Sequence, residues 1–228
     1  MSPRLSSVRP ARTVFRVGRR PDPWAWPDWS YAAPNGTFGN RWDDPSASYR
    51  VLYACSERVG AFVETLARFR PDLELIADLR AIEGSDDFLL AGVVPLSWLE
   101  TRVVGSARLH GRFANVGDAE SLATFRQALV SRAIHHNVAE LDAAAIRLSA
   151  PRAFTQEISR FVYEWRDVEG SFAGLRYLSR LGDEFENWAI FEPAAADEPP
   201  LVLEEVEVID RDDPHLVEAL RLLGLKME

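Results

Sequence analysis

The sequence predicts an α+β fold, a compact mixed sheet core with flanking helices. Three observations carry that reading. Short β-type runs and helical-period runs follow one another in irregular order, without the strand–helix–strand repetition of a doubly wound sheet. Helical patterns crowd into one stretch, 122–164, where they can form a single layer against strands. The chain is 47% hydrophobic and 27% charged, the ordinary balance of a core-burying domain. All 228 residues are expected to form one domain.

In chain order, Thr13–Val17 is an opening strand. Between Pro21 and Pro34 lie turn formers with Trp24, Trp26 and Trp29. Those rings either bury aromatic surface or wall a ligand by stacking on a base. Asp43-Asp44-Pro45 makes a turn before the buried strand Tyr49–Ala54. Ser56 is placed to cap a helix whose apolar stripe is Val59, Phe62, Val63, Leu66 and Phe69. Further strands are expected at Leu73–Ala77, Phe88–Val94 and Arg102–Leu109, with a short helix from Trp98. Helices follow at Leu122–Ile134, Val138–Ile146 and, past Pro151, Thr155–Glu164. Gly170–Gly174 turns into Leu175–Leu178, and Trp188–Phe191 is another strand. Leu201–Ile209 alternates acids with apolar residues, as a strand with one wet face does. Pro214–Leu223 closes the chain as a helix.

Charge and composition narrow the function. A formal net charge of -9 opposes a broad nucleic-acid surface, although a local arginine cluster can still bind an anion. No apolar run approaches the ~20 residues of a membrane helix, and the N-terminus lacks the apolar stretch of a secretion signal. Cys55 is the only cysteine, so neither an intrachain disulfide nor a Cys-rich zinc site is available, and the expected location is cytoplasmic. His135 and His136 are adjacent and do not share a helix face, a poor metal constellation, so no metal is expected.

The chemistry concentrates in Gly39-Asn40-Arg41-Trp42-Asp43, in Val51–Ser56 with Glu64, and in Gly174–Arg180. Arg16 and Arg41 offer forked donors suited to phosphate; the alternative for each is a structural carboxylate bridge. Tyr53 either covers a ring or orients a phosphate, or is a strand aromatic in the core. Glu64 falls off the apolar stripe of its helix, so periodicity alone reads it as exposed and paired with Arg68; a strand-then-helix element can also aim it into a cleft. Ser179 by itself reads as a turn residue. Cys55 reads as a small buried group without a His partner. Neither a Walker A ending nor a Gly-x-Gly-x-x-Gly fingerprint is present.

The ordered combination “GNRWDDPSASYRVLYACSERVGAFVE”, “RAFTQEISRFVYE” and “GLRYLSRLGDEFENWAIFE” resembles the RES-domain family over approximately residues 13–192. A C-terminal strand and helix extend beyond it. The matching positions are Arg41, Glu64 and Ser179, with Tyr53 in “LYACS” and Arg16 in “VFRV”. Ala173 and Leu178 stand where the family commonly has an acidic residue and a proline.

The resemblance implies an ADP-ribosyltransferase-like fold and an NAD+-degrading toxin that cleaves the nicotinamide–ribose bond. An NAD+ phosphorylase is the leading expectation, with an NAD+ glycohydrolase, an ADP-ribosyltransferase and a catalytically weak NAD+-binding protein as alternatives. NAD+ is then substrate and inorganic phosphate a co-substrate, with no cofactor required. Arg16 and Arg41 would grip the pyrophosphate, and Tyr53 would pack on the nicotinamide side or orient its ribose. Glu64 would stabilise positive character at the ribose carbon, and Ser179 would orient the nicotinamide-ribose end. The resemblance also implies a cognate DNA-binding antitoxin as partner.

Overall fold

The computed structural model describes residues 3–71, 92–147, 151–194 and 198–228. Its strands are β1 (Ser7–Val8), β2 (Arg12–Arg19), β3 (Val51–Cys55), β4 (Val93–Val94), β5 (Arg102–Leu109), β6 (Phe113–Asn115), β7 (Gly174–Leu178), β8 (Glu186–Phe191), β9 (Leu201–Val208) and β10 (Lys226–Met227). Helices are α1 (Arg58–Leu66), α2 (Ser97–Glu100), α3 (Ala119–Ala128), α4 (Val130–His135), α5 (Ala143–Arg147), α6 (Arg152–Glu164) and α7 (Pro214–Leu223). Eight strands join in the order β1-β6-β7-β8-β3-β2-β5-β9, and β4 pairs with β10 separately. Within the larger sheet β6 and β7 run parallel, whereas its other neighbours are antiparallel. This is the mixed α+β architecture that the residue pattern predicts.

Strand alternation explains where the cleft lies. Leu52 and Ala54 point to one face of β3, into a cluster with Val14, Trp24, Trp188 and Ile190. On the other face, Val51 joins a cluster with Phe125, Ile158 and Val162, contributed by α3 and α6. Cys55 joins a different cluster with Phe62, Leu66 and Leu216, contributed by α1 and α7. Tyr53 lies between Val51 and Cys55 on that face, where the two helical clusters part. The chain crosses the sheet closely at Gly174: a Cβ there would sit 2.1 Å from the Ala189 carbonyl oxygen. A side chain at this position would push β7 off β8.

Several expectations need correction. The helix expected over Leu122–Ile134 is two helices, because Leu129 leaves helical geometry at φ -114°, ψ 15°. Leu129 and Ala133 nevertheless both stay buried, which is why periodicity alone reads one helix. The helix expected over Val138–Ile146 shrinks to α5. Asn137 adopts a left-handed φ of 56°, and Asp142 accepts the Ala145 N–H at 2.7 Å, so the helix starts only after this cap. Ser56 does not cap α1: its hydroxyl donates to Glu186 at 2.5 Å, and Glu57 occupies the cap position. β9, the edge strand beside β5, is wet on both faces rather than one: its residues from Val202 to Val208 are exposed, valines included, and Glu204 and Glu207 pair with Arg108 and Arg58. The expected strand Leu73–Ala77 and most of Phe88–Val94 lie outside the described residues. Among the described residues, no helix is long and apolar enough to cross a membrane.

Candidate active site

β2 and β3 meet in register at a single pair, Phe15 opposite Cys55. Arg16 lies at this junction, where it donates Nη1 to the Tyr53 carbonyl and Nε to the Pro23 carbonyl, both at 2.7 Å. Burial lowers its pKa to about 10, so it remains cationic at neutral pH. Arg16 thus has a structural part, satisfying backbone acceptors, while it also lines the cleft that opens beside it.

That cleft holds about 650 Å3 and is lined by Arg16, Arg41, Tyr53, Glu64 and Ser179 together. Residues separated by more than a hundred positions in sequence therefore converge on one space. The volume falls within the range of small-molecule sites. Among the described residues, its lining includes Arg16, Arg41, Arg68, Arg152 and Arg180 and one carboxylate, Glu64. In a chain of net charge -9, this is a local reversal of sign that favours an anionic ligand.

Arg41 arrives on a loop held by polar tethers rather than by a strand ladder. Gly39 turns that loop at a φ of 74°, a left-handed geometry that glycine adopts at little cost. The buried Asp43 accepts the Asn40 N–H at 2.6 Å and the Tyr53 hydroxyl at 2.8 Å. Tyr53 in turn accepts the Trp42 N–H at 3.0 Å. From α6, Thr155 and Ser159 donate to the carbonyls of Arg41 and Trp42 at 2.7 and 2.6 Å. The Arg41 guanidinium lies 5.2 Å from the Trp42 ring centroid and 5.9 Å from that of Tyr177. Burial lowers its pKa, opposed in part by Tyr177 and Glu64. The Tyr53 hydroxyl is engaged at both ends by the loop, so its ring is the part that serves the cleft.

Glu64 projects from the exposed side of α1, but its carboxylate does not turn to Arg68 as periodicity reads it. Oε1 accepts from Ser179 Oγ at 2.5 Å and from Asn187 Nδ2 at 2.8 Å. Arg68 lies instead over the Phe69 ring. Ser179 is almost wholly buried and accepts the Leu181 N–H at 2.9 Å, which aims its own proton at Glu64. It is a turn residue and a carboxylate donor at once. Cys55 is buried with its pKa pushed well above the ordinary value, by desolvation first and then by Glu64 and Glu57, so it is a thiol and not a ready nucleophile. Trp24 and Trp26 belong to the cluster on the opposite face of β3, and Trp29 packs on Phe38; none of the three lines the cleft. Trp24 is buried, Trp26 half-buried and Trp29 exposed, and none of them walls the cleft.

Sequence reasoning missed Asn187, Thr155 and Ser159, and read Asp43 only as part of a turn and not as a tether. A signal for Asn187 was present: a lone amide next to the apolar run Trp188–Phe191 must find a polar partner when buried.

A model of the RES domain matches residues 13–210. The chain belongs to the RES domain family. The match begins within β2, ends just past β9, and takes in all five cleft residues named above. RES domains include toxins implicated generally in NAD+ degradation. This RES domain is also similar in structure to the crystal structure of the M. tuberculosis MbcT-MbcA toxin-antitoxin complex. The similarity has a TM-score of 0.56 over 96% of this chain and 92% of that chain, with 11% sequence identity. At that identity the likeness speaks for the fold. No curated protein matches the RES domain chain in sequence.

Proposed function

We propose that this RES domain degrades NAD+ by cleaving the bond between nicotinamide and ribose, with phosphate as the preferred acceptor. The observation that carries the reading is the carboxylate of Glu64, held by Ser179 in a cleft whose described lining also brings together five arginines. An anionic dinucleotide matches the arginines, and a cationic transition state matches the carboxylate. Arg41 and the uncommitted edge of Arg16 hold the pyrophosphate through charge-assisted bonds. The Tyr53 ring packs beside the nicotinamide riboside.

As the C–N bond breaks, its electron pair leaves with nicotinamide, which departs neutral, and positive charge develops on the ribose carbon. Glu64 stabilises that charge more than it stabilises the ground-state sugar, which is the differential that accelerates a reaction. A phosphate oxygen then bonds to the ribose carbon and yields a phosphorylated ADP-ribose. Water in the same position yields ADP-ribose and releases a proton. We further propose that a DNA-binding antitoxin covers the cleft, so that the acidic chain itself need not contact DNA.

Purified protein incubated with NAD+ should release nicotinamide, and product analysis should show phosphorylated ADP-ribose when phosphate is present. Free ADP-ribose as the sole product under both conditions would assign hydrolysis. Unchanged NAD+ with and without phosphate would overturn the reading. Co-purified antitoxin should suppress turnover; full activity in a stable complex would reject coverage of the cleft.

A further inference from the structure

Asn187 is wholly buried in β8, with Cys55 of β3 and Tyr177 of β7 as its registered neighbours. Registered antiparallel partners carry their side chains on one face, so the three form a row across the floor of the cleft. The Asn187 amide is engaged at both ends: Nδ2 donates to Glu64 Oε1 at 2.8 Å, and Oδ1 accepts from Cys55 Sγ at 2.7 Å.

The two ends of an asparagine amide have nearly the same shape, so its partners decide which way it faces. Here both partners agree. A carboxylate only accepts, and a protonated thiol needs an acceptor. Rotating the amide by 180° would set Oδ1 against the Glu64 carboxylate, two acceptors face to face, and would exchange the S–H···O bond for a weak N–H···S contact. Ser179 is fixed by the same logic through the Leu181 N–H. Both donors therefore reach Oε1, and neither of them engages Oε2.

We propose that Asn187 is a positioning residue for Glu64, oriented by the Cys55 thiol, and that the pair holds Oε1 so that Oε2 is presented to the ribose of the substrate. The assignment deepens the proposed NAD+ cleavage and rests on it for its kinetic consequence. It also gives a use to the only cysteine of the chain: a hydrogen-bond donor that sets an amide, with no covalent role.

Two substitutions at Cys55 and one at Asn187 test the relay. Asn187→Leu keeps the volume and removes the donor to a charged acceptor; kcat for nicotinamide release should fall ~10- to 100-fold while KM stays within about 2-fold. Cys55→Ser keeps an X–H donor and should remain within about 3-fold of the starting kcat, whereas Cys55→Ala should lose ~3- to 10-fold. Equal kcat for Cys55→Ser and Cys55→Ala, or an undiminished kcat for Asn187→Leu, would overturn the assignment.

A readout independent of turnover separates this inference from the reaction it rests on. By NMR, the Asn187 side-chain NH2 protons should exchange slowly with solvent in the unsubstituted protein and in Cys55→Ser, and faster in Cys55→Ala. Rapid exchange in the unsubstituted protein would reject the relay even if NAD+ is cleaved. Slow exchange with the predicted Cys55→Ala change would uphold the relay even in a protein that leaves NAD+ intact. Melting curves verify that each variant is folded; if Asn187→Leu does not fold, the comparison of Cys55→Ser with Cys55→Ala decides.

Discussion

Arg41 and Glu64 face the same cleft from walls of different construction. Glu64 stands on α1, and its carboxylate is met by Ser179 just past β7 and Asn187 on β8, so regular elements fix the donors that hold it. Arg41 stands on a loop whose shape comes from Asp43, Tyr53, Thr155 and Ser159 bonding to backbone and to one another. The first wall is rigid because the sheet is rigid. The second is rigid only while its polar tethers are satisfied, and each tether is a buried group that is costly to leave unpaired. Under the proposed function the comparison assigns a division of labour: the sheet wall would govern the chemical step, and the tethered wall substrate capture.

The largest effect should come from the sheet wall. Glu64→Gln keeps the shape and removes the charge, and kcat for nicotinamide release should drop ~100- to 1,000-fold, by analogy with loss of one electrostatic transition-state stabiliser. KM should change little, which steady-state kinetics would check. Next comes the tethered wall. Arg41→Ala removes charge-assisted donors worth about 1.5–3 kcal/mol, so NAD+ should bind ~10- to 100-fold more weakly with a smaller change in kcat. If Arg41→Ala instead lowered kcat alone, the division between the walls would fail.

Asp43→Asn sharpens the comparison because Asp43 is placed to act through the loop. One of its two donors, the Asn40 N–H or the Tyr53 hydroxyl, loses a charged acceptor, at a cost to stability of about 1–3 kcal/mol. Denaturant melts should show that loss, and KM should rise in the same direction as for Arg41→Ala. Unchanged stability together with unchanged KM would mean that the tether does not hold Arg41. The smallest effect belongs outside both walls. Trp29 is partly exposed, and Arg50 lies over its ring, a contact worth about 0.5–1 kcal/mol at such a site. Trp29→Ala should cost stability of that order and leave kcat and KM unchanged; altered kinetics would return the Trp-rich loop to the cleft.

What was legible in the sequence follows the same division. The α+β class and most strands were readable because alternation and helical period are local signals. The convergence of Arg16, Arg41, Tyr53, Glu64 and Ser179 was suggested by ordered motifs, since no local rule brings together residues more than a hundred positions apart. Periodicity pointed Glu64 toward Arg68 because a helical wheel sees only its own helix, and the competing donors came from just past β7 and from β8. The kink at Leu129 was invisible because the apolar spacing survives it. β9 looked half-buried because alternation does not tell whether a second layer covers an edge strand. Asn187 was legible only as a buried amide in want of partners, and its partners were set by the register of β8 against β3 and by the reach of α1.

The central claim is that one cleft binds NAD+ through its arginines and cleaves it through Glu64. The most direct test is to titrate NAD+ into folded Glu64→Gln in a calorimeter and to quantify nicotinamide in the recovered cell contents. The account predicts saturable binding close to that of the unsubstituted protein, with nicotinamide release reduced ~100-fold or more. Absent binding, or release at the unsubstituted rate, would contradict it.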